Sequence, residues 1–153
     1  MKHVLAVSKH ARSIAEKIKN NGHDVDVDFI EIAALLHDIG RCRTHGIAHG
    51  IAGAKIMQPI SPEIARVCET HVGAGIDRAE AEKLGLPPKD FLPKTLEEKI
   101  IAHADNLIEG DKIVNIEKTI KKFESRLGKD HPAILRIIKL NDYVENLCKN
   151  EQN

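Results

Sequence analysis

Residues 33–41 read Ala-Ala-Leu-Leu-His-Asp-Ile-Gly-Arg and place two strong metal-binding side chains, His37 and Asp38, at the end of an apolar run. A carboxylate that is buried without a partner is costly in free energy or becomes protonated. A bound cation would supply the partner that this pair needs. We therefore expect His37 and Asp38 to be the centre of a metal site, with further ligands delivered by the rest of the chain.

The hydrophobic pattern around this stretch is helical. The chain has 153 residues, of which 42% are hydrophobic and only 3% aromatic, so its core must be aliphatic. Apolar residues recur at helical spacing, and no alternating pattern is long enough to indicate a strand. The helices predicted from this spacing lie near residues 4–18, 29–39, 50–58, 62–71, 78–84, 96–108, 116–127 and 132–147. We predict an all-α fold, a single compact helical domain.

Charge and cysteine usage limit the classes of partner. The 23 basic and 23 acidic residues cancel, which argues against long nucleic acid and against membrane as partners, because both require a basic face. The three cysteines, Cys42, Cys68 and Cys148, show no CxxC spacing, which favours a reducing compartment over a thiolate zinc site. No signal peptide or long apolar run is present, so we expect a cytoplasmic protein.

Six side chains are candidate metal ligands because each lies near a helix end or on a partly apolar face. Their nitrogen and carboxylate donors suit iron, manganese, cobalt, nickel, zinc or, less well, magnesium. Four ligands could hold one divalent ion, and six could hold two ions with Asp38 between them. Less specific interpretations are a surface-edge histidine for His10 and a helix cap for His49. The candidates are His10, His37, Asp38, His49, His71 and Asp105.

The order of these residues resembles the H…HD…D pattern of the HD-domain metal-dependent phosphohydrolases, and residues 37–40 match its HDIG form. His71 and the His-Gly-x-x-Gly segment at residues 49–53 resemble the two-metal branch of that superfamily. Within that branch, the spacing is more similar to the diadenosine tetraphosphate hydrolases than to the HD-GYP phosphodiesterases, since no Gly-Tyr-Pro triplet is present. The resemblance implies an HD domain over residues 1–110, on which the C-terminal helices of residues 111–153 pack.

What the resemblance implies is a phosphohydrolase, an enzyme that cleaves a phosphate ester or anhydride of a nucleotide with a metal-activated water. His10, His37, Asp38 and Asp105 would hold the first ion, and Asp38, His49 and His71 the second. Asp38, Arg41, Arg43 and His45 are the predicted catalytic residues: both arginines would bind phosphate oxygens, and His45 would protonate the leaving group.

Two other functions stay open at this point, a catalytically inert nucleotide-binding or sensor protein and a bundle stapled by a structural metal. The expected partner is a small phosphorylated substrate of the nucleotide type. Phe91 is the aromatic residue we expect near its base. The sequence leaves open a homodimer formed through the C-terminal helices.

Overall fold

Eight α-helices form most of the part of the chain that the computed structural model describes, residues 1–149. The all-α prediction is confirmed. A short 3-10 helix (Ile39–Cys42) follows α2, and a small antiparallel hairpin of β1 (Ile108–Glu109) and β2 (Lys112–Ile113) follows α6. The helices are α1 (Lys2–Asn20), α2 (Val27–Leu36), α3 (His49–Met57), α4 (Pro62–Thr70), α5 (Arg78–Lys83), α6 (Leu96–Asn106), α7 (Ile116–Leu127) and α8 (Pro132–Cys148).

The core is aliphatic and centres on α1 and α6. Helix α1 buries a stripe at helical spacing, Val7, Ala11, Ile14 and Ile18, against α2 and α6. Helix α6 is buried nearly all round, and Ile100 and Ala104 have no exposed surface. The N-terminal end of α1 and the C-terminal end of α6 are therefore held in fixed positions beside the end of α2.

The helix predicted over residues 29–39 is shorter than the pattern indicated. Helix α2 ends at Leu36, His37 is its C-cap, and Asp38 precedes the 3-10 helix. The predicted helix stop at Gly40 has a different role. A Cβ atom at Gly40 would lie 1.8 Å from the carbonyl oxygen of His49 and 2.4 Å from the nitrogen of Gly53. Gly40 thus allows the backbone after Asp38 to touch α3 directly.

The hairpin after α6 was not predicted. Each strand has only two residues, too few to show an alternating pattern. The turn between the strands contains Gly110, whose φ of +65° lies in the left-handed region that glycine adopts at little cost. The hairpin turns the chain from α6 towards α7 and brings the Gly110 carbonyl back to the start of α1.

Helices α7 and α8 pack on the earlier helices. The hydroxyl of buried Thr119 donates to the carbonyl of Asn106, and α8 buries Ile137 and Val144 against the core cluster. The domain division at residue 110 and a homodimer through α7 and α8 stay predictions. Among residues 1–149, no helix combines the length and apolar character that crossing a membrane requires.

The thiols differ strongly in their surroundings, and this gives a first prediction. Cys42 is exposed, whereas Cys68 is fully buried and burial raises the pKa of its thiol to about 12. Because only the thiolate reacts, we expect Cys68 in the folded protein to be alkylated at least about a thousandfold more slowly than an ordinary thiol. Timed labelling with iodoacetamide, followed by peptide mass spectrometry, measures this rate. Rapid labelling should map to Cys42 and disappear in Cys42→Ser, with slower labelling at the half-buried Cys148, whose thiol pKa is raised by burial. Equally rapid labelling of Cys68 would contradict the buried placement.

Candidate metal centre

Six side chains meet where α1, α2, α3, α4 and α6 come together. They form three overlapping groups, and in each group one ligand atom per residue lies within 4.8 Å of the others. The first group is His3, His37 and Asp38, the second is His37, His71 and Asp105, and the third is Asp38, His49 and His71. Histidine nitrogens and carboxylate oxygens are therefore close enough together to bind a metal ion.

The Asp38 carboxylate lies between the two sides of this cluster. Its Oδ1 atom is 3.2 Å from His49 Nε2 and 3.3 Å from His71 Nε2. Its Oδ2 atom is 3.8 Å from His37 Nε2 and 3.0 Å from the Nε of Arg41. Each carboxylate oxygen thus faces a different set of neighbours, as a carboxylate shared by two ions would.

Three of the histidine rings are oriented by their own local backbone. The Nδ1 atom of His37 donates to the Ala34 carbonyl at 2.6 Å, and that of His71 donates to the Cys68 carbonyl at 2.7 Å. His49 does the same with the carbonyl of Gly46 at 2.9 Å. Because Nδ1 carries the proton in each neutral ring, Nε2 presents a lone pair to the cluster, which is the form of imidazole that binds metals.

This arrangement needs a cation. The Nε2 atoms of His49 and His71 lie 3.0 Å apart, yet both present lone pairs and neither can donate to the other. The Nε2 atom of His37 and the Oδ1 atom of Asp38 are also buried without hydrogen-bond partners. Burial lowers the pKa of His71, so an extra proton on that ring is disfavoured. A divalent ion would satisfy these atoms together, and the donor set fits one.

Asp105 closes the other side of the cluster from the last turn of α6. Its Oδ1 atom accepts from His3 Nε2 at 2.8 Å and is 3.4 Å from His37 Nε2. Burial would raise the pKa of Asp105, but the positive charge that His37 has when its ring is protonated and the hydrogen bond from His3 outweigh it and hold that pKa well below its usual range. His3 in turn donates from Nδ1 to the carbonyl of Gly110 at 2.9 Å. Its pKa is raised, chiefly by the hydrogen bond with Asp105.

The residue that α1 contributes is His3 and not the predicted His10. The two are seven residues apart, which is nearly two helical turns, so they lie on the same stripe and periodicity cannot separate them. Their positions along the axis of α1 distinguish the two histidines. His3 is in the first turn of α1, beside Asp105, whereas His10 lies about two turns further along the helix, where burial lowers its pKa. The sequence feature that could have identified His3 is its position at the start of this helix.

The predicted catalytic residues outside the ligand set are separated by the structure. Arg41 and His45 line the cavity above the cluster, and Arg41 pairs with Asp38. Arg43 is exposed, ends the 3-10 helix and does not line this cavity, so the structure does not bring it to the site. The two arginines are two residues apart, about two thirds of a 3-10 turn, so their side chains point in different directions.

A cavity of about 610 Å³ opens from the metal-ligating cluster and extends between α5, α7 and the start of α8. Three cations at its rim, Lys83, Lys122 and Arg126, have no carboxylate within 4.0 Å in the part of the chain described. Asp77 and Glu80 also line it, but both are paired with Arg136. The cations without a carboxylate partner are therefore on the open side of the cavity, although Asp77, Glu80, Asp105 and Glu109 balance Arg41, Lys83, Lys122 and Arg126 in the lining as a whole. Sequence reasoning missed these cations because they come from separate helices.

Comparison with known proteins identifies the class. The family description "HD domain" matches residues 1–110, and the chain belongs to the HD-domain family. A protein of Methanocaldococcus jannaschii described as uncharacterized is 58% identical over 151 residues, covering 97% of this chain and 89% of its own length. No solved structure matches the chain significantly.

Two further relatives have functional names. The tRNA (cytidine(56)-2'-O)-methyltransferase of Picrophilus torridus is 45% identical over 150 residues, covering 97% of this chain and 42% of its own length. The protein of the same name from Thermoplasma volcanium is 39% identical over 147 residues, covering 95% and 41%. The chain thus spans about two fifths of these two relatives.

These names correct three expectations. The prediction of nucleotide phosphohydrolysis is wrong, because the named relatives at 39% and 45% identity point to RNA methylation. The exclusion of long nucleic acid is also wrong, since both relatives are named for tRNA; a zero net charge hid the basic rim. The resemblance to diadenosine tetraphosphate hydrolases receives no support beyond the HD family itself. That the relatives are named as enzymes agrees with the broader prediction of an enzyme.

Proposed function

We propose that this chain is a divalent-metal-binding tRNA-binding unit of a tRNA-modification system, and that methyl transfer belongs to a separate unit. The observation that carries the proposal is the 45% identity to a tRNA methyltransferase over 97% of this chain and only 42% of that enzyme. Three fifths of the relative lie outside the match and are available for the methyl-transfer chemistry. The part that corresponds to this chain contributes the His/Asp centre and the cavity with its three unpaired cations.

The donor chemistry supports a role in holding RNA. His37, Asp38, His49, His71 and Asp105 would hold one or two divalent ions, and His3 would join them as the neutral ring, with its Nε2 proton released on metal binding. Such an ion supplies a Lewis acid that binds phosphate and ribose oxygens. The rim cations Lys83, Lys122 and Arg126 are placed to neutralise neighbouring phosphates of the same strand, which is the main source of affinity in protein–nucleic acid complexes.

Binding of labelled tRNA, followed by fluorescence anisotropy at several salt concentrations, tests the proposal. We expect the double variant Lys122→Ala/Arg126→Ala to bind at least about tenfold more weakly and to show a shallower salt dependence, by about one unit of slope per lost contact. The matched control is Lys121→Ala/Lys129→Ala, which removes two exposed lysines that do not line the cavity. Equal losses in both double variants would contradict a specific basic rim.

The contribution of the metal is tested in the same buffer with Asp38→Asn, since a chelator would also disturb the tRNA. We expect weaker tRNA binding by this variant at constant Mg²⁺ and Mn²⁺. A second assay supplies the chain with tRNA and S-adenosylmethionine and maps ribose methylation by primer extension. The chain alone should give no methylation. Methylation by the chain alone, or no tRNA binding by the metal-loaded protein, would overturn the proposal.

A further inference from the structure

The wall of the cavity includes apolar side chains and one phenylalanine ring. Val72, Ile76, Val114, Phe123 and Leu127 are among the apolar residues that line the cavity. The aromatic residue predicted from sequence, Phe91, is unsuitable for ligand contact: only 2% of it is exposed, and its backbone pairs with Ile76. Phe123, on α7, is partly exposed and lies in the cavity wall.

The ring of Phe123 is held at a fixed place relative to two metal-ligating residues. It lies against Gly73, where an added Cβ atom would be 3.4 Å from the ring. Gly73 is two residues after His71, and its carbonyl accepts from the Asn106 side chain at 3.0 Å. Asn106 directly follows Asp105, and its own carbonyl accepts from Thr119 on α7. Short chain segments and two hydrogen bonds therefore fix the position of the Phe123 ring relative to the His/Asp centre.

The charges around this ring suit an anion beside an apolar group. Lys122 is the chain neighbour of Phe123, Arg126 is one turn further along α7, and both line the cavity. The nearby carboxylates, Asp77 and Glu80, are both paired with Arg136, which also donates to the Gly75 carbonyl at 3.1 Å. A ligand against Phe123 would therefore meet a flat apolar surface with Lys122 and Arg126 nearby, while Asp77 and Glu80 are held by Arg136.

We propose that this cavity takes one unstacked nucleotide of an RNA strand, with its base against Phe123 and its phosphates between the rim cations and the His/Asp centre. The inference rests on the proposed tRNA-binding function and adds the form in which the RNA is recognised. A cavity of about 610 Å³ is within the size range of small-molecule sites and too small for a base pair with its backbones. Single-stranded bases stacked on aromatic side chains are a general mode of RNA recognition.

The test uses Phe123 variants and short single-stranded RNA in anisotropy titrations with Mn²⁺ present. Phe123→Leu keeps the apolar packing against Gly73 and removes the aromatic face, while Phe123→Tyr keeps both. We expect Phe123→Leu to bind about 5- to 100-fold more weakly, and Phe123→Tyr to bind within about threefold of the unsubstituted protein. Thermal unfolding of each variant shows whether the fold is intact.

An oligonucleotide with one abasic position, scanned along the strand, identifies the base concerned. At the critical position, removing the base should weaken binding to the unsubstituted protein and have no further effect on Phe123→Leu. If Phe123→Leu binds as tightly as the unsubstituted protein while Lys122→Ala/Arg126→Ala binds weakly, the base site is overturned and the tRNA-binding function stands. If the metal-loaded protein binds no RNA, the tRNA-binding function itself fails.

Discussion

Asp38→Asn is expected to leave a folded protein that no longer retains a divalent metal. The substitution removes the one carboxylate that faces His49 and His71 with one oxygen and His37 with the other. Even changes outside the ligand shell cost about 10- to 100-fold in metal affinity, so we expect a loss of more than about 100-fold. Metal content after dialysis against Mn²⁺ or Zn²⁺, measured by elemental mass spectrometry, gives the result directly.

Thermal unfolding supplies an independent reading of the same change. An ion at 100 times its dissociation constant stabilises the native state by about 2.7 kcal/mol. For a chain of this size this corresponds to a rise in Tm of about 5–10 °C. We expect that rise in the unsubstituted protein and in the control Asp111→Asn, whose carboxyl is exposed in the hairpin turn, and no rise in Asp38→Asn. If Asp38→Asn retained metal as the unsubstituted protein does, Asp38 would not be a ligand of the metal centre.

Gly40→Ala is expected to be the most disruptive small substitution in the chain. The new Cβ atom would lie 1.8 Å from the His49 carbonyl oxygen and 2.4 Å from the Gly53 nitrogen, and both are backbone atoms that cannot rotate away. Overpacking of this kind costs about 1–3 kcal/mol or more. A cost at the upper end of this range, about 3 kcal/mol, lowers Tm by about 6–12 °C, and we expect metal affinity to fall with it because α3 carries His49.

Gly46→Ala is the matched control for this substitution. It lies in the same connection, and its added Cβ atom would meet only the Thr44 hydroxyl at 3.8 Å, an ordinary contact. We expect its Tm and metal affinity to stay close to those of the unsubstituted protein. If calorimetry gave Gly40→Ala and Gly46→Ala the same Tm, the close approach of the two backbone segments would be incorrect.

The helices were predictable because their apolar stripes are long and regular, whereas the site was predictable only in part. Local patterns in the sequence drew attention to His37, Asp38, His49, His71 and Asp105, which the structure brings together. The choice between His3 and His10 could not be made, since both lie on one stripe of α1. Which of the two meets Asp105 depends on how far α1 slides along α6, and tertiary packing alone determines that.

Properties that arise between elements were the hardest to predict. The exposure of Phe91 and Phe123 depends on which helices cover each ring, and no local sequence pattern indicates this exposure. The basic rim combines side chains of α5 and α7, so a total charge of zero gave a misleading answer about nucleic acid. In the same way, the role of Gly40 follows from a contact with α3 that its neighbours in sequence do not indicate.

The backbone hydrogen bonds of His37, His49 and His71 have a consequence for how this centre can evolve. Each ring is oriented by the carbonyl of the residue three positions earlier, within its own turn of chain. No side chain provides this support, so substitutions around the centre cannot remove it while the turn keeps its shape. The surrounding sequence can therefore drift, and the cavity can be reshaped for a new ligand, while the three imidazoles keep their orientation.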